Sequence, residues 1–273
     1  MDYDNQEDFT LSIRLAPDGF SFSTHSMAVD NSFVYREAPF ASAAADQAHS
    51  AAYLAALEEY VLQHEELLQP YRRVEIVVAS TRFTFIPSEL YGAESAPEWY
   101  RFTLQPAPEK ILVDLLEHTG ARCVYGIDEA LYGFLCRTFP EARFRHHMSV
   151  LSEYFAIKSR QGNTDKMICQ LSGGMIDILC YGKGRLRLAN SYRFRYINDA
   201  AYYVLATWKS LAMSQQVDTL HLAGSRTQTA EMTRLLSKYI AKVSPVKFPA
   251  QMFNIGQESL NAPFDLIVLP LCE

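Results

Sequence analysis

Residues 166–196 read KMICQLSGGMIDILCYGKGRLRLANSYRFRY, and this stretch decides the fold. Apolar residues run through it in short segments separated by glycine-containing turns, which is the pattern of consecutive antiparallel strands. The predicted strands cover residues 166–171, 175–181 and 185–196, with turns at Gly173–Gly174 and Gly182–Gly184. A three-stranded antiparallel unit is therefore expected at the start of the second half of the chain.

A helix, a strand and a second helix are predicted after this unit. Tyr202, Leu205 and Trp208 recur at helical spacing, and Asn198 or Asp199 can cap their helix. The predicted segments are a helix to about residue 213, a strand Thr219–Ala223 and a helix Thr227–Lys242. The element order of this half is therefore βββαβα.

The same order begins near the N-terminus. Phe9, Leu11, Ile13 and Leu15 alternate along a strand that turns at Pro17-Asp18-Gly19. The segments predicted next are a strand 20–24, a strand Ser32–Phe40, an Ala-rich helix Ala41–Leu68 and a strand Val74–Ala79. Two copies of one pattern predict an α/β protein that is built by duplication.

Several elements are predicted between and after the two copies. The interval 87–108 is rich in Pro, Glu and aromatic residues, which favours an insertion in the first unit. The elements expected beyond it are a helix Ile111–His118, a strand Arg122–Ile127, a helix Glu129–Phe139, a strand Arg143–His147, a helix Val150–Lys158 and a central strand Asp265–Leu271. We therefore expect two lobes, residues 1–158 and residues 159–273.

Composition restricts the class of protein. A chain of 273 residues with 49% hydrophobic content can bury one large core or two lobes. No apolar run approaches the roughly 20 residues of a membrane helix, and the acidic start lacks a signal peptide's basic residues, so a cytoplasmic location is expected. Five cysteines without a CxxC pair argue against a disulfide framework or a zinc ribbon and favour buried thiols. The net charge of -6 gives no general reason to expect nucleic-acid binding.

Two βββαβα units in one chain resemble the actin-like ATPase fold, a duplicated ribonuclease-H-like architecture with mixed sheets that binds nucleotide between its lobes. The chain is similar to an uncharacterised bacterial family of about this length that has this fold and no known function. The resemblance covers nearly the whole chain, including the segment Phe83–Leu90. More distantly, the pattern is similar to the cytoplasmic actin-like subunits of pilus assembly and type II secretion machines.

The resemblance implies a phosphate loop in the first hairpin of each lobe. In actin-like ATPases this hairpin carries an Asp followed by Gly and small hydroxyl residues, so that turn amides hold phosphates while the acid organises magnesium and water. In the first copy the only acid is Asp18, which lies in the turn itself, and Pro17 removes an amide donor. Compared with the family's phosphate loop, this first loop is therefore degenerate. An ordinary β-turn also explains the Pro-Asp-Gly sequence.

In the second copy, neutral Gln170 occupies the place of the acid. The glycines in segment 172–174 could still let amides approach an anion, although a hairpin with positive φ requires the same residues. The strand Leu220–Ala223 ends in a turn with one glycine where the family has two, and Gly and Ser there also serve turn geometry and capping. The candidate nucleotide cleft therefore contains Ser172, Gly173, Gly174, Gly224 and Ser225, with ATP and Mg²⁺ as the candidate ligand.

The nuclease branch of the ribonuclease-H-like fold requires several carboxylates that converge from its first and fourth strands. The corresponding first-strand residues here are Ser12 and Arg14 in one copy and Ile168 and Gln170 in the other. Nuclease activity is therefore not predicted. Asp177, a single carboxylate on the following strand, is interpreted as a solvated residue.

His146 and His147 form the most inviting titratable pair. On a strand, adjacent side chains point to opposite faces, so these two imidazoles would rarely bind one ion. The sequence also contains no HExxH or GxSxG motif. We interpret both histidines as structural or surface residues, and we predict no catalytic or metal-binding residue.

A row of basic residues marks the third strand of the second copy. Its members share strand parity and would project from one face if the strand is unbroken, where they could dock an acidic partner or a phosphate group. The alternative is a solvated sheet face, with a bend near Ala189–Ser191 that splits the row. The row comprises Lys183, Arg185, Arg187, Arg193 and Arg195.

These features predict a pseudo-ATPase, a two-lobed actin-like protein that has lost most catalytic apparatus and serves as a binding or assembly component. A ligand in the interlobe cleft remains compatible with this prediction. The alternative is a divergent ATP-binding protein or ATPase that uses Asp18, Gln170 and Asp177 around the nucleotide. A third possibility is a scaffold that binds an acidic partner through the basic row.

Overall fold

The computed structural model describes residues 6–40, 51–92, 95–105, 109–252 and 260–272. Its strands are β1 Thr10–Ala16, β2 Gly19–His25, β3 Val34–Pro39, β4 Arg73–Val78, β5 Phe83–Pro87, β6 Glu109–Leu116, β7 Ala121–Asp128, β8 Arg143–His146, β9 Lys166–Ser172, β10 Met175–Gly182, β11 Arg185–Arg193, β12 Thr219–Ala223 and β13 Val243–Pro245. Its α-helices are α1 Ala51–Gln63, α2 Ala96–Thr103, α3 Glu129–Thr138, α4 His147–Ser159, α5 Ile197–Ser210, α6 Arg226–Leu236 and α7 Phe264–Val268. Within these ranges no helix is both long and apolar enough to cross a membrane.

The chain groups into two compact units. The first contains Met1–Leu115, Ala121–His147 and Ala250–Ala262, and the second contains Leu116–Gly120, Met148–Pro249 and Pro263–Glu273. Helix α4 therefore groups almost entirely with the second unit.

A five-stranded sheet with the order β3-β2-β1-β4-β8 forms the centre of the first unit. Strands β1, β2 and β3 are antiparallel neighbours, while β4 is parallel to both β1 and β8. The alternating residues Leu11, Ile13 and Leu15 are all buried, as the period of two in the sequence predicts. One face of this sheet therefore supplies an apolar core.

The opposite face of the same sheet is polar and also buried. Ser12 and Arg14 alternate with the apolar residues of β1, and each is at most 2% exposed. Glu75 on β4 is fully buried, and its carboxylate oxygens lie 3.9 Å from Arg73 Nε and 3.7 Å from Arg145 Nε. Because buried charges are tolerated only when they are paired, this face depends on its ion pairs.

A second, three-stranded sheet with the order β5-β7-β6 follows β4 in the first unit. Helix α2 packs on it through Ala96 and Tyr100, which join Ile86 and Val124 in a small core. The Glu109 carboxylate accepts hydrogen bonds from Tyr100 Oη and from Arg82, whose Nε lies 2.7 Å away. The predicted insertion 87–108 lies between β5 and β6, apart from residues 93–94 and 106–108, which are outside the described residues.

The second unit repeats the strand order of the first. Its sheet is β11-β10-β9-β12-β13, with β9, β10 and β11 antiparallel and β12 parallel to both β9 and β13. Helices α5 and α6 cover one face, where Val204 and Trp208 pack against Met232 and Leu236. The predicted duplication of an α/β unit with mixed sheets is confirmed.

Two predicted elements have the wrong type. The segment Ile111–His118 was expected to be helical but forms strand β6, because Ile111 and Val113 pack on the small core beneath α2. The segment Asp265–Leu271 was expected to be a central strand but forms α7 and a 3-10 turn, Leu269–Leu271. All five residues of α7 are buried, and an apolar run buried on every side has no period that distinguishes a helix from a strand.

Several predicted boundaries also differ from the structure. The helix expected over Ala41–Leu68 appears as α1 and a 3-10 turn Glu65–Leu68, with residues 41–50 outside the described residues. Strand β11 ends at Arg193, three residues before the predicted end at Tyr196. Helix α6 ends at Leu236, short of the predicted Lys242. Such differences are ordinary, since element ends are set by local caps and packing.

Candidate functional site

The predicted nucleotide-cleft residues of the second unit lie at one edge of its sheet. Strands β9 and β12 are parallel neighbours, so their carboxyl ends are adjacent. Gly224 follows β12 with φ +139°, and a Cβ on this residue would lie 2.8 Å from the carbonyl oxygen of Leu171. Glycine is therefore required here by the close approach of two backbones, which brings segment 224–225 beside segment 172–174.

The glycines of the β9–β10 hairpin are explained by its turn. Ser172 pairs with Met175, which leaves Gly173 and Gly174 as a two-residue loop. Their φ values are +59° and +67°, as a type I′ turn requires at both positions. The Gly174 carbonyl accepts a hydrogen bond from the Phe194 amide at 2.9 Å. This loop is therefore fixed by backbone geometry alone.

Ser225 is the N-cap residue of helix α6. Its hydroxyl accepts a hydrogen bond from the Gln228 amide at 3.3 Å, and its carbonyl accepts one from the Thr229 amide at 2.9 Å. These are the bonds of an N-cap residue, and they stabilise the first turn of the helix. The start of α6 nevertheless lies at the same sheet edge as the hairpin loop, an arrangement in which backbone amides can face an anion.

A buried polar network lies behind the hairpin, on the sheet face opposite α5 and α6. Gln170 Nε2 donates to Asp177 Oδ2 at 3.1 Å, and Ser191 Oγ donates to Asp177 Oδ1 at 2.6 Å. Gln170 Oε1 in turn accepts the Asp265 amide of α7 at 3.0 Å. Asp177 is only 1% exposed, so its interpretation as a solvated residue was wrong. The side chain in the place of the family's acid is therefore engaged at both of its polar atoms.

Register identifies the equivalent position in the first unit. The residue pair next to the turn is Ala16 with Gly19 in the first hairpin and Ser172 with Met175 in the second. Two residues before Ala16 and Ser172 respectively, Arg14 therefore corresponds to Gln170. Both side chains are 2% exposed, and neither is an acid.

The first hairpin turn is held by hydrogen bonds from neighbouring elements. The carbonyl of Asp18 accepts the Phe40 amide at 3.0 Å, and the carbonyl of Gly19 accepts a hydrogen bond from Tyr53 Oη at 2.9 Å. Asp18 is exposed, whereas Pro17 is buried. The Pro-Asp-Gly turn thus has a structural role in joining β2 to β3 and α1.

His146 and His147 lie at the end of β8 and the start of α4, and both are fully buried. Their ring centroids are 4.5 Å apart, and His146 also packs against Phe83 and Tyr125 at 4.6 and 5.1 Å. His147 Nδ1 lies 3.3 Å from the Val78 carbonyl oxygen. Burial, with a smaller contribution from His147, holds the pKa of His146 well below its ordinary value. The expectation that the two imidazoles point to opposite faces of one strand was wrong, because the strand ends at His146 and the rings lie side by side, while their burial agrees with a structural role.

The buried histidines should make the first unit sensitive to acid. Burial lowers the pKa of His25 from 6.5 to about 4, so the unfolded chain binds more protons between these values and stability falls as pH drops through this window. The shift corresponds to about 3 kcal/mol of lost stability near pH 4 from His25 alone. Urea titrations at several pH values test this expectation. His25→Phe should reduce the pH dependence, whereas replacing exposed His118 with Phe should leave it as in the parent protein; equal slopes for both variants would contradict the assignment.

The basic row of the second unit is split by an irregularity in β11. Cys180 pairs with Leu188, but Tyr181 pairs with Leu186, so the register shifts at Arg187. Residues before and after this bulge therefore face opposite sides of the sheet, and Arg185 does not share a face with Arg193. Arg187 itself forms an ion pair with Asp165 and donates to the Leu211 carbonyl at 2.9 Å. All five members are exposed, but the condition of an unbroken strand is not met, so the row is split between two faces, and binding of an acidic partner stays a prediction.

Sequence reasoning missed two of the buried polar residues at these positions and named Arg14 only as a first-strand residue without a carboxylate. The roles of Ser191 and Asp265 become evident only once the structure pairs the strands and places α7. A signal was present for Asp265, which like Arg14 is a single charge within a largely apolar segment. A charge in such a place is buried only with partners, which marks it for attention.

The repeated strand order and the paired hairpins define the class of actin-like ATPase folds. The family model described as "Protein of unknown function (DUF3822)" matches residues 1–243, and the chain belongs to this family. A crystal structure from Bacteroides thetaiotaomicron VPI-5482, described as a protein with actin-like ATPase fold and unknown function, is 34% identical over 100% of this chain and 99% of that chain, with a TM-score of 0.83. The predicted family and fold are therefore confirmed.

A more distant likeness agrees with this class. A chain of the PilM-PilN type IV pilus biogenesis complex has a TM-score of 0.57 and 10% identity, over 98% of this chain and 99% of that chain. At this identity the likeness shows the fold alone. A search of curated proteins gave no match.

Proposed function

We propose that this chain is a non-catalytic actin-like protein that acts as a binding or assembly component. The observation that carries the proposal is the pair of equivalent residues three positions before the first turn residue of each hairpin, Arg14 and Gln170. Actin-like ATPases are expected to use an acid in this hairpin to organise Mg²⁺ and water. A guanidinium repels a cation, and a neutral amide is a weak ligand for one, so neither residue can replace that acid.

The surrounding residues do not fit Mg²⁺ either. In the second unit, the carboxylate of Asp177 already accepts hydrogen bonds from Gln170 and Ser191 and is shielded from solvent. Among the residues that the structure describes, no group of three or more His, Cys, Asp or Glu side chains is placed to hold a metal ion. The proposal therefore assigns no hydrolytic step to this fold.

The alternative, a divergent ATP-binding protein, is favoured by one observation. The hairpin loop 172–174 and the start of α6 at Ser225 lie at the same sheet edge, with Gly224 close to the Leu171 backbone. Backbone amides at such an edge suit a phosphate group without any side-chain acid. Nucleotide binding without hydrolysis would be compatible with both proposals.

Thermal unfolding with and without millimolar ATP, ADP and Mg²⁺, combined with a phosphate-release assay, tests the proposed function. A ligand that binds only the folded state at about 100 times its Kd adds about 2.7 kcal/mol, which raises Tm by several degrees. We expect no phosphate release above the protein-free rate and no additional rise in Tm when Mg²⁺ accompanies ATP. Magnesium-dependent release that Asp18→Asn or Asp177→Asn abolishes would overturn the proposal in favour of the divergent ATPase.

A further inference from the structure

A solvent-accessible cleft of 490 Å³ lies in the first unit, at the amino ends of β4 and β8. This volume lies within the range of small-molecule sites. The cleft is distinct from the candidate nucleotide residues, which belong to the second unit and lie at carboxyl ends of strands. Its lining consists of residues 67–74 and 138–143.

The walls of the cleft are held by local hydrogen bonds and buried side chains. Tyr71 Oη donates to the Glu66 carbonyl at 2.8 Å, and the Ala142 amide donates to the Phe139 carbonyl at 3.1 Å. Phe139 is 5% exposed and Leu67 only 1%, so the apolar side of the cleft is anchored in the core. A site with fixed walls loses little conformational entropy when a ligand binds.

The charged lining is predominantly cationic although the chain carries a net charge of -6. Three arginines and one glutamate line the cleft, namely Arg72, Arg73, Arg143 and Glu141. Arg73 lies 3.9 Å from the buried carboxylate of Glu75. Arg72 and Arg143 are exposed, and neither side chain forms an ion pair or hydrogen bond with the residues of the described ranges. Two guanidinium groups are therefore available to a ligand.

We propose that this cleft binds a small molecule that carries an oxyanion, either phosphate or carboxylate, through Arg72 and Arg143. A planar guanidinium presents paired N–H donors that match two oxygens of such a group. The apolar wall formed by Leu68, Pro70 and Pro140 would contact the remainder of the molecule. Glu141, in the same cleft, opposes an anion and limits its affinity.

Isothermal titration calorimetry with pyrophosphate, inorganic phosphate and citrate at low salt tests this proposal. Arg72→Gln/Arg143→Gln should weaken binding by at least about tenfold, because it removes both charged donors. Glu141→Gln should strengthen binding several-fold, an effect of opposite sign that a folding defect would not produce. Arg101→Gln/Arg234→Gln, which replaces exposed arginines on α2 and α6, is the matched control and should bind as the parent protein does.

The outcomes separate the two ligand sources and the two sites. Preference for pyrophosphate over citrate would identify a phosphorylated ligand, and the reverse preference a carboxylate ligand. Absence of binding by every probe up to about 10 mM would overturn the proposal, as would equal affinity of the parent and Arg72→Gln/Arg143→Gln. If ATP raises the Tm of the parent protein and of Arg72→Gln/Arg143→Gln equally, the nucleotide binds outside this cleft. Failure of the cleft proposal then leaves the test of the proposed function unaffected.

Discussion

Gly19→Ala is expected to destabilise the first unit by about 4 kcal/mol or more, a large part of the stability of an ordinary domain. Gly19 has φ +148°, and a Cβ at this position would lie 2.5 Å from the Ala38 carbonyl oxygen and 2.9 Å from Pro39 Cα. These are backbone atoms of β3, so no rotamer change relieves the contact. The substitution must either separate β2 from β3 or shift the carbonyl that accepts the Tyr53 hydroxyl.

Hydrogen exchange combined with urea unfolding measures this loss within each unit. Peptides from β1, β2 and β3 should lose protection first in Gly19→Ala. Gly120→Ala is the control, because Gly120 has φ +69° but a Cβ added to it would meet no heavy atom within 4 Å, so only a strain of about 1–2 kcal/mol is expected. Equal losses in both variants would show that backbone strain, and not contact with β3, determines the requirement for glycine.

The sequence was most informative where turns and alternation coincide. The two-glycine turn after Ser172 predicted the β9–β10 hairpin, and strand β12 has the predicted bounds, Thr219–Ala223. Both follow from local rules, since a two-residue loop fixes register and a short apolar strand is delimited by polar neighbours. Repetition of the pattern then predicted two α/β units of the same strand order, because similar strands must bury the same sheet faces.

The errors arose where distant residues decide the outcome. Strand β6 depends on its place beside β7 and under α2, and α7 depends on burial from every side. The bulge at Arg187 adds one residue to β11 relative to β10. Alternation along the sequence could therefore not reveal which face of the sheet Arg193 occupies. The bond between Gln170 and the Asp265 amide joins residues 95 positions apart. The sequence therefore predicted which loops adjoin at one end of the sheet, while the hydrogen bonds behind them required the structure, and a nucleotide site there stays a prediction.

Gln170→Glu, which supplies the acid that the family pattern expects, should destabilise the second unit by about 3–5 kcal/mol at pH 7. The amide that donates to Asp177 at 3.1 Å would be replaced by a carboxylate, so two negative charges would face each other in a buried site. Urea unfolding followed by circular dichroism measures the effect. If the variant unfolds at the parent's urea concentration, the network is not a barrier to an acid at this position.

A double variant separates charge repulsion from loss of packing. Asp177→Asn alone places two amides together and should cost about 1–3 kcal/mol, because one donor is left unsatisfied. Gln170→Glu/Asp177→Asn restores one donor opposite one carboxylate, with the Asp265 amide still donating to residue 170 and Ser191 still donating to residue 177. We expect the pair to recover at least half of the loss caused by Gln170→Glu, as coupled residues do in a double-mutant cycle. Recovery would mean that the fold tolerates one acid at either of the paired positions 170 and 177. In the parent protein that acid is Asp177, whose oxygens accept hydrogen bonds and are not available to a magnesium ion.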